Sequence, residues 1–212
     1  MALVKYNNNS ISAVTAAASI PSGSLVPIKT LTASSSATLS FVHGTDGVVL
    51  DSTYPIYRLD LINIHRASGS EQTLGFNLST DSGSNYNVTK TTTVFDAYHR
   101  ENDTSVGVGY NSSQDLAQST AFQNLTPEIE LGVDDDASAC GSMYLFNPSS
   151  TTFVKHFLYN GNHMSYYSTP WSVNAFIAGY GNTTSAVDAI RFQMSSGNID
   201  AGKIKLYGIK DS

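Results

Sequence analysis

Charge is scarce in this chain. Asp, Glu, Lys and Arg together make up 13% of its 212 residues, about half the usual share. The formal net charge is -6 and no stretch gathers Lys and Arg, so the electrostatic footprint that nucleic-acid binding needs is missing. Cysteine is nearly absent. Cys140 stands alone, which excludes an internal disulfide and points to no oxidising compartment; in the apolar alternation ACGSMYLF a buried structural thiol is the expectation. No run approaches the roughly 20 apolar residues of a membrane span, and MALVKYNNNS lacks the apolar segment of a signal peptide. The expectation is a soluble protein made in a cytosol, without membrane insertion.

Catalytic fingerprints are missing too. There is no G-x-S-x-G, no phosphate loop and no dinucleotide fingerprint. The five histidines, His43, His65, His99, His156 and His163, show no H-x-x-x-H or H-E-x-x-H spacing. His65, His99 and His156 fall in strand-like segments, where packing or hydrogen bonding is the ordinary role. The run Asp134, Asp135, Asp136 lacks the spacing and the glycine of a calcium loop and reads as a solvated acidic loop. No acid pair framed by aromatics suggests a glycosidase. The expectation is a non-enzyme with no cofactor and no metal.

What fills the chain instead is Ser, Thr, Asn and Gly around segments of period-two alternation. Short uncharged polar residues suit turns and sheet faces better than helix surfaces. ATLSFV, IYRLDLINIHR, TLGFNLST, TTTVFDAYHR, SVGVGY, SMYLFN, FVKHFLYN, NAFIAGYG, AIRFQM and KIKLYGI read as strands. In IYRLDLINIHR both faces are apolar, Tyr57, Leu59 and Leu61 on one and Ile56, Ile62 and Ile64 on the other. Such a strand belongs in the middle of a sandwich or at an interface. Roughly ten short strands with turn chemistry between them predict an all-β fold, an antiparallel sandwich. SSQDLAQSTAFQNL, from Ser112 to Leu125, is the least strand-like part and is left open between a short helix and a long loop. The last two segments predict a hairpin of neighbouring strands, with Ile190, Phe192, Met194, Ile204 and Leu206 facing one core.

Residues 1–23 read as an arm and residues 24–212 as a single β-sandwich domain. The arm is polar, then small and apolar, then broken by Pro21 and Gly23. Two readings stay open: a disordered tail, or an arm ordered only against a partner. In the second, Tyr6, Ile11, Val14 and Ile20 are the anchors, and Lys5, Asn7, Asn8 and Asn9 bond a partner's backbone.

Two further stretches invite a functional reading. STDSGSNY, from Ser79 to Tyr86, resembles the Asp-box turn of sialidase-type propellers, with Tyr86 where Trp is usual. Its own chemistry suffices for a structural turn: Asp81 accepts backbone N–H groups, Gly83 supplies a positive φ and the aromatic packs beneath. A glycan contact is the alternative. MSYYSTPW reads as an aromatic loop, with Tyr166, Tyr167 and Trp171 set to stack on a sugar or anchor a protein, or else folded back over the end of the sandwich.

KYNNNSISAVTA, SSSATLSFV, STDSGSNYNVTKTTT, DLAQSTAFQ, LFNPSSTTFVKHF, AGYGNTTSAV and SSGNIDAGKIKLYGI together resemble small virion structural proteins of marine tailed bacteriophages. The likeness spreads over nearly the whole chain and carries no catalytic motif. It implies a jelly-roll-like sandwich in the virion, made in the host cytoplasm: a capsid decoration or cement protein attached partly through its N-terminal arm. A tail fibre, receptor-binding adhesin or carbohydrate-binding module is the alternative. The partners implied are further copies of the chain, as a homo-oligomer with a trimer favoured, and the major capsid protein or another virion protein. A glycan partner goes with the alternative.

Overall fold

The structure is a computed structural model that describes residues 24–67, 72–127, 131–132, 134–167 and 169–211. The arm anchors proposed above lie outside these residues. Twelve strands and no helix occur among the described residues. They are β1 (Leu25–Thr32), β2 (Leu39–Val42), β3 (Ile56–Arg66), β4 (Leu74–Ser79), β5 (Lys90–Arg100), β6 (Val106–Tyr110), β7 (Gln123–Asn124), β8 (Ala139–Phe146), β9 (Lys155–Tyr167), β10 (Thr169–Gly181), β11 (Ala189–Met194) and β12 (Ile199–Ile209). Every pairing is antiparallel. An eight-stranded sheet runs in the order β1-β12-β3-β8-β9-β10-β5-β6 and a four-stranded sheet in the order β2-β11-β4-β7.

Alternation explains how the sheets meet. Tyr57, Leu59 and Leu61 of β3, Met143 and Leu145 of β8, and Phe157 of β9 are buried from the large sheet; Phe41 of β2, Phe76 and Leu78 of β4, and Phe192 of β11 are buried from the small one. Phe76 meets Phe157 edge-on across the interface, ring centroids 4.9 Å apart. One contiguous core thus joins both sheets. Each large side chain buried there stabilises the fold by roughly 1.5–3 kcal/mol.

Three expectations are corrected. The final two strands are not a hairpin of neighbours: β11 pairs with β2 and β4 in the small sheet, whereas β12 pairs with β1 and β3 in the large one. Ile190, Phe192, Met194, Ile204 and Leu206 do share the core, because the connection arches over the sandwich edge instead of folding flat. Period two reports which face a residue takes, not which sheet its strand joins. Next, Ile64 does not share the face of Ile62. The register of β3 shifts between Leu61 and Ile64, Asn63 takes a φ of 49°, and this bulge turns Ile64 into the core while Ile62 stays 36% exposed. Opposite the bulge Gly202 has a φ of +112°, and a Cβ there would stand 2.4 Å from the Asn63 carbonyl oxygen. Lastly, Cys140 is exposed. Ala139, Met143 and Leu145 take the inner face of β8, which turns Cys140 outward with Ser142 and Tyr144.

The stretch around residues 112–125 forms a long loop, not a helix, ending in the short β7. It is tied to the start of β5 by Lys90 N–H to Ser119 O at 2.8 Å and Thr92 N–H to Leu116 O at 2.9 Å. β1 went unread in the sequence because Pro27 and a bulge between Pro27 and Lys29 interrupt its alternation.

Candidate functional site

The large sheet has an inner face in the core and an outer face, and the outer face divides in two. On β12 and β3 it carries Lys203, Lys205, Tyr207, Arg58 and Asp60, matched across the strands. From β8 to β6 it carries aromatic and aliphatic side chains with polar ones among them, including a row of Cys140, Asn162 and Asn174. One cross-strand row reads Ser142, Asn160, Phe176, Phe95, Tyr110, each residue directly opposite the next. The neighbouring row reads Tyr144, Leu158, Ala178, Thr93. Phe176 and Phe95 are each 48% exposed and Leu158 is 49% exposed. The Phe95 and Tyr110 rings meet edge-on at 5.2 Å. Apolar residues scattered singly over a surface are ordinary, but a contiguous field of them marks an interaction site.

Between the two rows lies an open groove of about 520 Å³, walled by Tyr144, Leu158, Phe176 and Phe95, with Ser142, Asn160 and Thr93 among its polar groups. A polar network closes one side of the field. Arg58 Nε donates to Asp60 Oδ1 at 2.8 Å and Ser142 Oγ donates to the same oxygen at 2.7 Å. The Arg58 guanidinium also stands 5.8 Å from the Tyr144 ring centre. Its hydrogen bond to Asp60 raises the Arg58 pKa further, against the opposing effect of partial burial. On the opposite side the field runs to the sheet edge at β6, where Val106, Val108 and Tyr110 are exposed, the Tyr110 hydroxyl donates to the Asp115 carboxylate and His99 lies opposite Val106.

The sequence-predicted recognition residues are not a loop. MSYYSTPW forms the end of the long β9–β10 hairpin, with Tyr167 opposite Thr169 and Trp171 opposite Ser165. Trp171 is only 7% exposed. The Arg100 guanidinium lies 4.1 Å from its ring centre and Tyr98 packs at 5.1 Å, so cross-strand neighbours on β5 withdraw the indole from any ligand. Tyr166 is 43% exposed at the hairpin end, away from the groove residues. The side chain of Tyr167 lies outside the described residues, as do Lys5, Tyr6, Asn7, Asn8, Asn9, Ile11, Val14 and Ile20.

STDSGSNY is the turn its chemistry predicted. Asn85 N–H donates to Asp81 Oδ1 at 2.8 Å, Ser79 Oγ donates to it at 2.7 Å, and Gly83 has a φ of +78°. The Asn85 backbone and side-chain amides, then Ser79, hold the Asp81 pKa down at about 2. The Arg191 guanidinium covers the Tyr86 ring at 3.8 Å, which leaves that aromatic committed to packing. Asp134, Asp135 and Asp136 lie in a turn closed by Ala137 N–H to Asp134 O at 2.8 Å. Among the described residues no three His, Cys, Asp or Glu side chains cluster to hold a metal ion.

Two buried lysines escaped the sequence reading. Lys90 and Lys155 are fully buried. Lys90 Nζ donates to Asn77 Oδ1 at 2.5 Å and to Val88 O at 2.9 Å; Lys155 Nζ donates to Phe153 O at 2.6 Å and Thr183 O at 3.1 Å. Each ties loop backbone to the start of a strand. Each amine bonds one carbonyl two residues away, Val88 or Phe153, but its second acceptor, Asn77 or Thr183, comes from farther along the chain, so the segments TTTVFDAYHR and FVKHFLYN carry no mark of the burial. The outer apolar field was equally hidden. Phe95, Leu158 and Phe176 each look like ordinary strand residues, and only the register of three strands puts them side by side.

Comparison of the chain with protein-family models, with curated proteins and with solved structures finds no match.

Proposed function

We propose that this protein is a non-enzymatic virion structural protein, a capsid decoration or cement protein that seats on the particle through the apolar outer face of its eight-stranded sheet, with the N-terminal arm as a tether. The observation that carries this reading is the exposed field of Leu158, Phe176, Phe95 and Tyr110, bordered by Arg58 and Asp60. A face of this kind gains stability by removing apolar area from water against a partner surface. The resemblance to phage virion proteins supplies the class of partner, the major capsid protein or another virion protein. The strand order supports the jelly-roll part of the reading: β1 to β4 alternate between the sheets, and β7, β8, β11 and β12 answer them from the other end of the chain. Hairpins β5–β6 and β9–β10 then widen one sheet and create the outer field.

Immunogold labelling and mass spectrometry of purified particles test this. Label on the heads is the expected result. A protein absent from particles overturns it.

The groove favours a second reading, an adhesin or carbohydrate-binding module. Aromatic walls with Ser142 and Asn160 between them suit the apolar face and hydroxyls of a sugar ring. Tail labelling, with glycan-array binding lost in Phe176→Ala, would transfer the assignment to it.

A further inference from the structure

Among the described residues the two sheets have four edges, and three are blunted. β2 has four residues and β7 has two, too short to template another strand. β1 carries Pro27, a bulge and Lys29, the usual devices that keep an edge from pairing. β6, Val106-Gly107-Val108-Gly109-Tyr110, has no proline, no charge and no register shift against β5. It is an uncharged edge with exposed apolar side chains, of the kind that pairs with another strand.

Its hydrogen-bonding pattern defines which groups are free to do so. Arg100 N–H bonds Ser105 O at 3.0 Å and Asn111 N–H bonds Val94 O at 2.9 Å. In an antiparallel ladder the bonded pairs alternate with unbonded ones. Residues 105, 107, 109 and 111 therefore turn their backbone groups toward β5, and Val106, Val108 and Tyr110 turn theirs outward. The same three carry the exposed side chains, at 64%, 82% and 48%.

We infer that β6 pairs antiparallel with β6 of a second copy of this chain, about a two-fold axis through Val108. Val108 then lies opposite its own counterpart and Val106 opposite Tyr110 of the second copy. The outward-facing groups of one edge meet those of the other in register, and no like charges are opposed. Such a contact is isologous and closes at two copies, so it replaces the expected trimer with a dimer. Opposed residues in an antiparallel pair point to one face, so both outer faces look the same way. The exposed side chains of Val106, Val108 and Tyr110 at the edge then continue into those of the second copy. The pairing rests on the proposed use of that face and doubles it, giving a dimer two attachment surfaces on one side. A five-residue edge buries less than the roughly 800 Å² per partner of a standard interface, so the association is concentration-dependent.

Sedimentation velocity of the full chain over a dilution series tests the pairing, with Val108→Lys and Val108→Pro as variants. Lys sets like charges against each other across the axis. Pro removes an N–H that points away from β5, a position where an edge strand tolerates it. The expected result is a reversible dimer for the wild type, with at least a ten-fold weaker association in either variant and an unchanged thermal melt. If the proline variant does not fold, the lysine variant carries the test. A wild type that stays monomeric up to about 100 μM, a stoichiometry other than two, or a dimer that survives Val108→Lys overturns the inference. A monomer that labels heads sinks the pairing alone, and a dimer absent from particles sinks the virion assignment alone.

Discussion

Lys90 holds an amine away from water with only amide and carbonyl oxygens as partners, Asn77 Oδ1 and Val88 O. Burial pushes its pKa down from the ordinary lysine value to about 7. In the unfolded chain the same group titrates near 10.4. Between these values the unfolded state binds the extra proton, so stability rises with pH across that window and levels off below about pH 7. Lys155 shifts in the same direction, again through burial. Wild-type melting temperature is therefore expected to climb between pH 7 and pH 9.5, and Lys90→Met to flatten part of that climb. Parallel melting profiles for the two proteins would contradict it. Asp81 makes the contrasting case among single residues. Its low pKa comes from hydrogen bonds made within four residues of itself, which is why its turn could be read from eight letters while the state of Lys90 could not.

At the scale of elements, period-two alternation located most of the strands and the core-facing residues Ile204 and Leu206 of β12. It failed where backbone conformation, not side-chain type, decides. The bulge at Asn63 inverts the second half of β3, and Gly202 is its counterpart on β12. With φ at +112° and the Asn63 carbonyl 2.4 Å from a would-be Cβ, Gly202→Ala is expected to cost about 1–3 kcal/mol, read as a lowered urea midpoint with an unchanged slope. An unaltered midpoint would mean that the two strands re-register freely. The aromatic segment near residue 170 shows a related failure. Pro170 and the Ser-rich flanks suggest a loop, but thirteen matched pairs carry β9 and β10 to within one residue of each other, and that pairing delivers Trp171 to Arg100 and Tyr98.

For the whole molecule the arm and the outer face are separate means of attachment and can be tested separately. Deleting residues 2–20 is expected to leave a folded β domain with reduced incorporation into particles. Phe95→Ser combined with Phe176→Ser is expected to keep the melting temperature near that of the wild type, because both rings are half exposed, yet to lower incorporation as well. Normal incorporation of both variants would move the attachment surface elsewhere on the sandwich. Near-complete loss in one alone would assign attachment to that feature.

The sequence by itself determined the all-β class, the scarcity of charge, most of the core and the Asp81 turn, because alternation and turn chemistry act over neighbouring residues. Only the tertiary structure decided which sheet each strand joins, which lysines lose water and where the apolar field lies. Those properties depend on register between strands up to more than a hundred residues apart, as where Leu25 meets Ile209. Register is set by how the two sheets fill a common core, a constraint that no single segment contains.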